Sequence, residues 1–116
     1  MNGTKIEMVT LNNGVKMPLL GMGIYQLHGK ACEHAVQEAI KLGYRLFDTA
    51  QMYGNEKELG NALKSCGIPR EELFVTTKLY SPSTSYTLAK TAIEKSLEAL
   101  QTEYIELLMF PQLRHF

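Results

Sequence analysis

Three side chains in the middle of this sequence, Asp48, Tyr53 and Lys78, are of the types that move a proton. A free phenol titrates near pH 10, so on its own it is a poor proton donor at neutral pH. An ammonium beside it stabilises the phenolate, and a carboxylate paired with that ammonium holds the charge in place. The trio then forms a general acid that donates to a carbonyl oxygen as negative charge builds there. The same three types also make a structural ion pair beside a hydrogen-bonded tyrosine, so position must choose between the two readings.

The surrounding elements supply that position. Met8-Val9-Thr10-Leu11 and Val15-Lys16-Met17 flank Asn12-Asn13-Gly14, a hairpin signal closed by Pro18. Residues 19–25 read as a short buried strand whose glycines mark a close approach of backbone or ligand. Over residues 30–42, Ala31, Ala35, Val36, Ala39, Ile40 and Leu42 recur at helical spacing, and Gly43 supplies the stop. Residues 44–50 form a strand candidate that contains Asp48. A second helix spans 56–65, with Asn55 as its cap and Glu58 at the capping-box position. The strand 73–77 leads into Lys78. A third helix, 87–100, places Leu88, Ala92, Ile93, Ser96, Leu97 and Leu100 on one face, with Lys90 and Glu94 paired across a turn. A fourth strand candidate occupies 105–110. Alternating strands and helices predict an α/β fold with a parallel sheet, in one domain over residues 1–116. In such sheets reactive groups gather at the carboxyl ends of the strands, where Asp48, Lys78 and the loop residue Tyr53 all fall.

Gly43-Tyr44-Arg45-Leu46-Phe47-Asp48-Thr49-Ala50, followed by Glu56 and Leu59-Gly60, resembles the signature of the aldo-keto reductase family. Leu11-Asn12-Asn13-Gly14 with Met17-Pro18 is similar to the family's opening hairpin. Leu20-Gly21-Met22-Gly23-Ile24-Tyr25-Gln26 is similar to its first barrel strand. The run from Ile68-Pro69-Arg70 through Thr76-Thr77-Lys78-Leu79 resembles the segment ending in its active-site lysine. The resemblance implies an N-terminal β-hairpin followed by about four parallel β/α units, an incomplete (β/α)8 (TIM) barrel. It implies reduction of a small aldehyde or ketone to an alcohol with hydride from NADPH. Tyr53 would be the general acid, tuned by Lys78 and Asp48, and the nicotinamide would lie near Gly23, Ile24, Tyr25 and Asp48. No metal is expected. Tyr25 suits a wall of the cofactor and substrate pocket as well as it suits rim packing.

The pattern breaks near the end. The family places a catalytic histidine in a segment of the type Leu-Leu-Leu-Ile-His-Gln-Pro, whereas this sequence has Leu107-Leu108-Met109-Phe110-Pro111-Gln112-Leu113. Pro111 takes the histidine position and has no side-chain donor. His115 falls in a tail that no longer resembles the family. The sequence is 116 residues long, against roughly 200–250 for a closed barrel. Later strands of the family supply the carboxamide contacts and the grip on the adenosine phosphate. The expectation is therefore a truncated product, inactive alone and prone to self-association through exposed sheet edges. The alternative is a non-catalytic fragment that acts by association with a partner chain.

Composition narrows the remaining classes. Twelve basic and twelve acidic residues give zero formal charge, which disfavours a nucleic-acid or anionic-membrane surface. Cys32 and Cys66 have no metal-ligand or redox spacing and read as free thiols in a reducing compartment. The polar start and the lack of a long apolar run predict a cytoplasmic protein.

Overall fold

A computed structural model describes residues 7–79 and 86–109. The hairpin comes first: β1 (Met8–Thr10) pairs antiparallel with β2 (Lys16–Pro18), with Val9 opposite Met17. Gly14 N–H donates to Leu11 O at 2.9 Å and Leu11 N–H to Val15 O at 2.8 Å, which closes the turn. Pro18 ends the strand, as its missing N–H requires.

The main sheet is parallel, in the order β3 (Gly21–Gly23), β4 (Leu46–Asp48), β5 (Phe74–Lys78) and β6 (Leu107–Met109). Helices α1 (Gly29–Lys41), α2 (Glu56–Ser65) and α3 (Tyr86–Leu100) connect successive strands. This is the predicted hairpin and run of β/α units. Strand register assigns the two faces. Phe47 lies opposite Val75 and both join the core with Val36, Ile40, Leu59, Leu63 and Leu100 from the helices. The alternate residues Gly23, Asp48, Thr76 and Lys78 therefore share the other face, because side chains alternate along a strand.

The end of α1 shows why the signature begins as it does. Gly43 adopts φ 100°, which lets its own N–H reach Ile40 O and the Tyr44 N–H reach Ala39 O, each at 3.0 Å. Arg45 Nη1 then donates to Ile40 O at 3.0 Å and to Tyr44 O at 2.8 Å, tying the entry of β4 to the end of the helix. Gly60 has a packing reason: a Cβ there would lie 2.6 Å from Ala99 O, so its absence sets how closely α2 approaches α3.

Several local expectations give way to longer-range partners. Asn55 precedes α2 but makes no side-chain cap bond, and Glu58 completes no capping box. Glu58 Oε2 instead accepts from Gly29 N–H at 2.9 Å, at the start of α1. Among the described residues no ion pair joins Lys90 to Glu94, both of which are exposed. Ala31, Leu42 and Leu88 also face solvent, so the buried stripes of α1 and α3 are narrower than the apolar spacing suggested. Within α1 the buried face is Cys32, Val36, Ala39 and Ile40. No helix among the described residues is long and apolar enough to cross a membrane. Phe110, Pro111 and His115 lie outside the described residues, as does the loop 81–85.

Candidate active site

Asp48 is the last residue of β4 and Lys78 the last of β5. Asp48 pairs in register with Thr76, so Lys78 stands two residues further along the same face, about 7 Å down the strand. Tyr53 closes a 3₁₀ turn, Gln51–Tyr53, that follows β4 over the same rim and packs against β5. Thus all three sequence candidates gather at the carboxyl ends of two adjacent strands.

Their partners differ from the simplest expectation. The Asp48 carboxylate accepts a short hydrogen bond from the Thr76 hydroxyl, while its backbone carbonyl accepts from Ile24 N–H at 3.2 Å. Among the described residues no ion pair joins Lys78 to Asp48. Asp48 is instead clamped to the neighbouring strand, and Lys78 is exposed at the end of that strand. The Tyr53 ring packs on the Tyr25 ring, with centroids 5.0 Å apart and planes tilted by 54°. Tyr25 is itself 64% exposed, so the aromatic pair lines an open rim and not a sealed core.

Sequence spacing missed the residues that hold this rim together. Asn55 is fully buried and bridges three segments. It accepts from Thr49 Oγ1 at 2.5 Å and donates through Nδ2 to Ile24 O at 2.7 Å and Leu27 O at 2.9 Å. Those carbonyls flank Gln26, which holds a left-handed φ of 68°, so Asn55 pins the bend that carries Tyr25. Thr49 N–H also donates to Thr76 O at 2.9 Å, tying the loop after β4 to β5. The sequence signal at Asn55 is its place just before a helix, which a local capping role explains equally well.

The cofactor candidates divide in the same way. At Gly23 a Cβ would meet nothing within 4 Å, so open space lies over the end of β3. Ile24 is fully buried and both its backbone groups are engaged, by Asp48 and Asn55, so it supports the rim from beneath. Among the described residues no cluster of His, Cys, Asp or Glu could hold a metal. Cys32 and Cys66 are free thiols. Burial first, then the Glu58 and Glu33 carboxylates, push the Cys32 thiol above its ordinary value, which keeps it protonated and inert.

Comparison with known proteins identifies the family. The Aldo/keto reductase family model matches residues 20–112. An aldo-keto reductase of Mycolicibacterium smegmatis is 43% identical over 102 residues, covering 88% of this chain and 36% of the relative. The NADPH-dependent D-xylose reductase of Candida boidinii is 46% identical over 104 residues, covering 86% of this chain and 32% of that protein. The crystal structure of a Bombyx mori aldo-keto reductase in complex with NADP superposes with a TM-score of 0.82 at 31% identity. It covers 91% of this chain and 38% of the other. The chain thus spans about a third of the length of the curated relatives it matches, with 36% and 32% as examples.

Proposed function

The chain belongs to the aldo/keto reductase family of oxidoreductases, and from that premise we propose that it carries the proton-donating part of an NADPH-dependent carbonyl reductase site. The observation that carries this reading is the convergence of Asp48, Tyr53 and Lys78 on one rim of a partial (β/α)8 barrel. The substrate is a small aldehyde or ketone. Tyr53 donates its phenolic proton to the carbonyl oxygen, and Lys78 stabilises the phenolate left behind. Asp48, fixed by Thr76, adds a carboxylate to the same rim.

The rim suits a nicotinamide cofactor, because Gly23 leaves open space beside Asp48 and Tyr25 presents an exposed ring. Gly23, Tyr25 and Asp48 would hold the nicotinamide end, with Ile24 beneath them. Bound NADPH supplies the hydride that reduces the carbonyl carbon. The two relatives whose names mention NADP or NADPH support that choice of cofactor. The four parallel strands among the described residues are half of an eight-stranded barrel, so turnover would require the remaining strands of the site. The two free thiols fit a reducing, cytoplasmic setting.

The test is a chimera in which residues 7–109 replace the matching segment of the Candida boidinii D-xylose reductase. NADPH oxidation by the chimera should depend on an added aldehyde, and Tyr53→Phe should lower kcat by about 10²–10⁴-fold. The isolated chain should show no turnover. A Tyr53→Phe chimera within threefold of its parent would remove the proposal.

The sheet edges favour a second reading, association with another chain. β3 and β6 are the outer strands of the described sheet, and Leu19, Leu20, Leu107 and Met109 beside or within them are exposed. Sedimentation of the isolated chain should then show concentration-dependent self-association. A monomer throughout the micromolar range would retire this reading.

A further inference from the structure

One buried carboxyl group has no place in the proton transfer described above. Glu56, the first residue of α2, is 8% exposed and lies on the helix side of the sheet. Its Oε2 accepts from Thr77 Oγ1 at 2.6 Å and from Ser96 Oγ at 2.8 Å. Ser96, fully buried in α3, in turn accepts from Gln51 Nε2 at 2.8 Å, and the same Gln51 nitrogen donates to Ala92 O at 2.8 Å.

The ends of this chain of bonds are the informative part. Gln51 opens the 3₁₀ turn that Tyr53 closes. Thr77 immediately precedes Lys78, and strand alternation sends their side chains to opposite faces. We propose that Glu56 is a positioning residue, which fixes the Tyr53 turn relative to the Lys78 strand from behind the sheet. The inference rests on the reading of Tyr53 and Lys78 as the proton-donating pair.

The chemistry of the bridge explains the residue type. Two hydroxyl protons, from Thr77 and Ser96, need an acceptor in a buried space, and one carboxyl oxygen with two lone pairs serves both. A buried carboxyl is costly without partners. Its place at the start of α2 eases that cost, because the helix N-terminus favours negative charge. A side chain that served only to pack α2 on α3 would be apolar, as its neighbour Leu59 is.

The test is NMR of the isolated chain, following the Tyr53 ring, the Lys78 Cε group and the Tyr25–Tyr53 ring cross-peak. A cross-peak falls with the sixth power of separation, so a small opening beyond the 5.0 Å centroid distance registers. Thr77→Val should move Lys78 and leave Tyr53 in place. Ser96→Ala should move Tyr53 and remove half or more of the ring cross-peak. Glu56→Ala should do both, while Cys32 stays protected from thiol reagents. Glu56→Gln keeps an acceptor oxygen for both hydroxyls and should restore the parent spectrum.

The proposal is overturned if Glu56→Ala leaves both residues unmoved, or if Glu56→Gln behaves like Glu56→Ala. It is also overturned if the resonances move only together with exposure of Cys32, since that is general loosening. Should Glu56→Ala not fold, Thr77→Val and Ser96→Ala decide, and a spectrum unchanged in both overturns it. None of these readings uses NADPH or an aldehyde. Failure of the functional reading shows instead as Tyr53-independent reduction in the chimera.

Discussion

At the amino ends of β5 and β6, every donor of one cation is taken. Arg70 Nε reaches Thr102 Oγ1 at 2.9 Å, while Nη1 and Nη2 reach the two Glu106 oxygens, each at 2.9 Å. The same two nitrogens also donate to Leu73 O at 3.0 Å and Tyr104 O at 2.8 Å, which accounts for all five N–H groups of a guanidinium. The Tyr104 ring lies 4.3 Å from the Arg70 guanidinium carbon, and Glu106 Oε1 also accepts the Val75 N–H at 2.8 Å. At the carboxyl ends the cation is Lys78, exposed and in no ion pair among the described residues. The comparison separates two uses of charge on one sheet. A cation with saturated donors locks strands and loops together, whereas Lys78 has no ion-pair partner among the described residues, as the proposed role in proton transfer requires.

The sharpest way to break the comparison is at Arg70. Removing it leaves Glu106, whose side chain is 15% exposed, without its bidentate partner, and strands the carbonyl of buried Leu73. Arg70→Ala should destabilise the chain by about 2–3 kcal/mol, between the cost of breaking an exposed pair and a fully buried one, read as a shift of the urea midpoint at constant slope. Arg70→Lys should recover little, since an ammonium cannot reproduce the planar fork. A loss within the range of an exposed pair, under about 1 kcal/mol, would erase the distinction between the two ends.

Thr76 offers an intermediate effect at the opposite end. It is buried, and its hydroxyl donates to the half-buried Asp48 carboxylate. Thr76→Val keeps the shape and removes the donor, and solvent can partly replace it at Asp48. The expected cost is about 1 kcal/mol by urea melt, with a larger effect on the chimera's kcat than on its KM. A cost equal to that of Arg70→Ala would mean that the carboxyl rim is also a structural lock.

Reading this contrast from the sequence was possible only in part. The limits of α2, the stop at Gly43 and the placement of Asp48 and Lys78 at strand ends follow from local spacing, and the structure shows them. Asn55, Glu56 and Glu58 behave otherwise. Each sits where a local rule for helix starts would use it, yet its furthest bond spans 29 to 40 positions, to Ile24, Gly29 and Ser96. Side chains near a helix start have several donors within reach in three dimensions, and a linear rule ranks only the nearest in sequence. Arg70 and Glu106 show the same limit. They are 36 positions apart, and nothing in their local context distinguishes that pair from the exposed Lys41–Glu38 pair three residues apart.

Lys78 should give the smallest change in stability and thereby the most informative one. Lys78→Met retains the aliphatic stem and removes only the ammonium. No ion pair among the described residues is lost, and the exposed head is already hydrated, so the urea midpoint should move by less than about 0.5 kcal/mol. On the proposed mechanism the same substitution in the chimera should lower kcat by about 10²-fold or more, because no ammonium remains to stabilise the charge that develops on Tyr53. The two readouts must therefore part company at Lys78. If stability falls along with activity, the ammonium is holding the rim together, as Arg70 holds the opposite end, and the assignment of chemistry to it fails. If stability stands while activity falls, the unpaired cation is acting on the reaction itself.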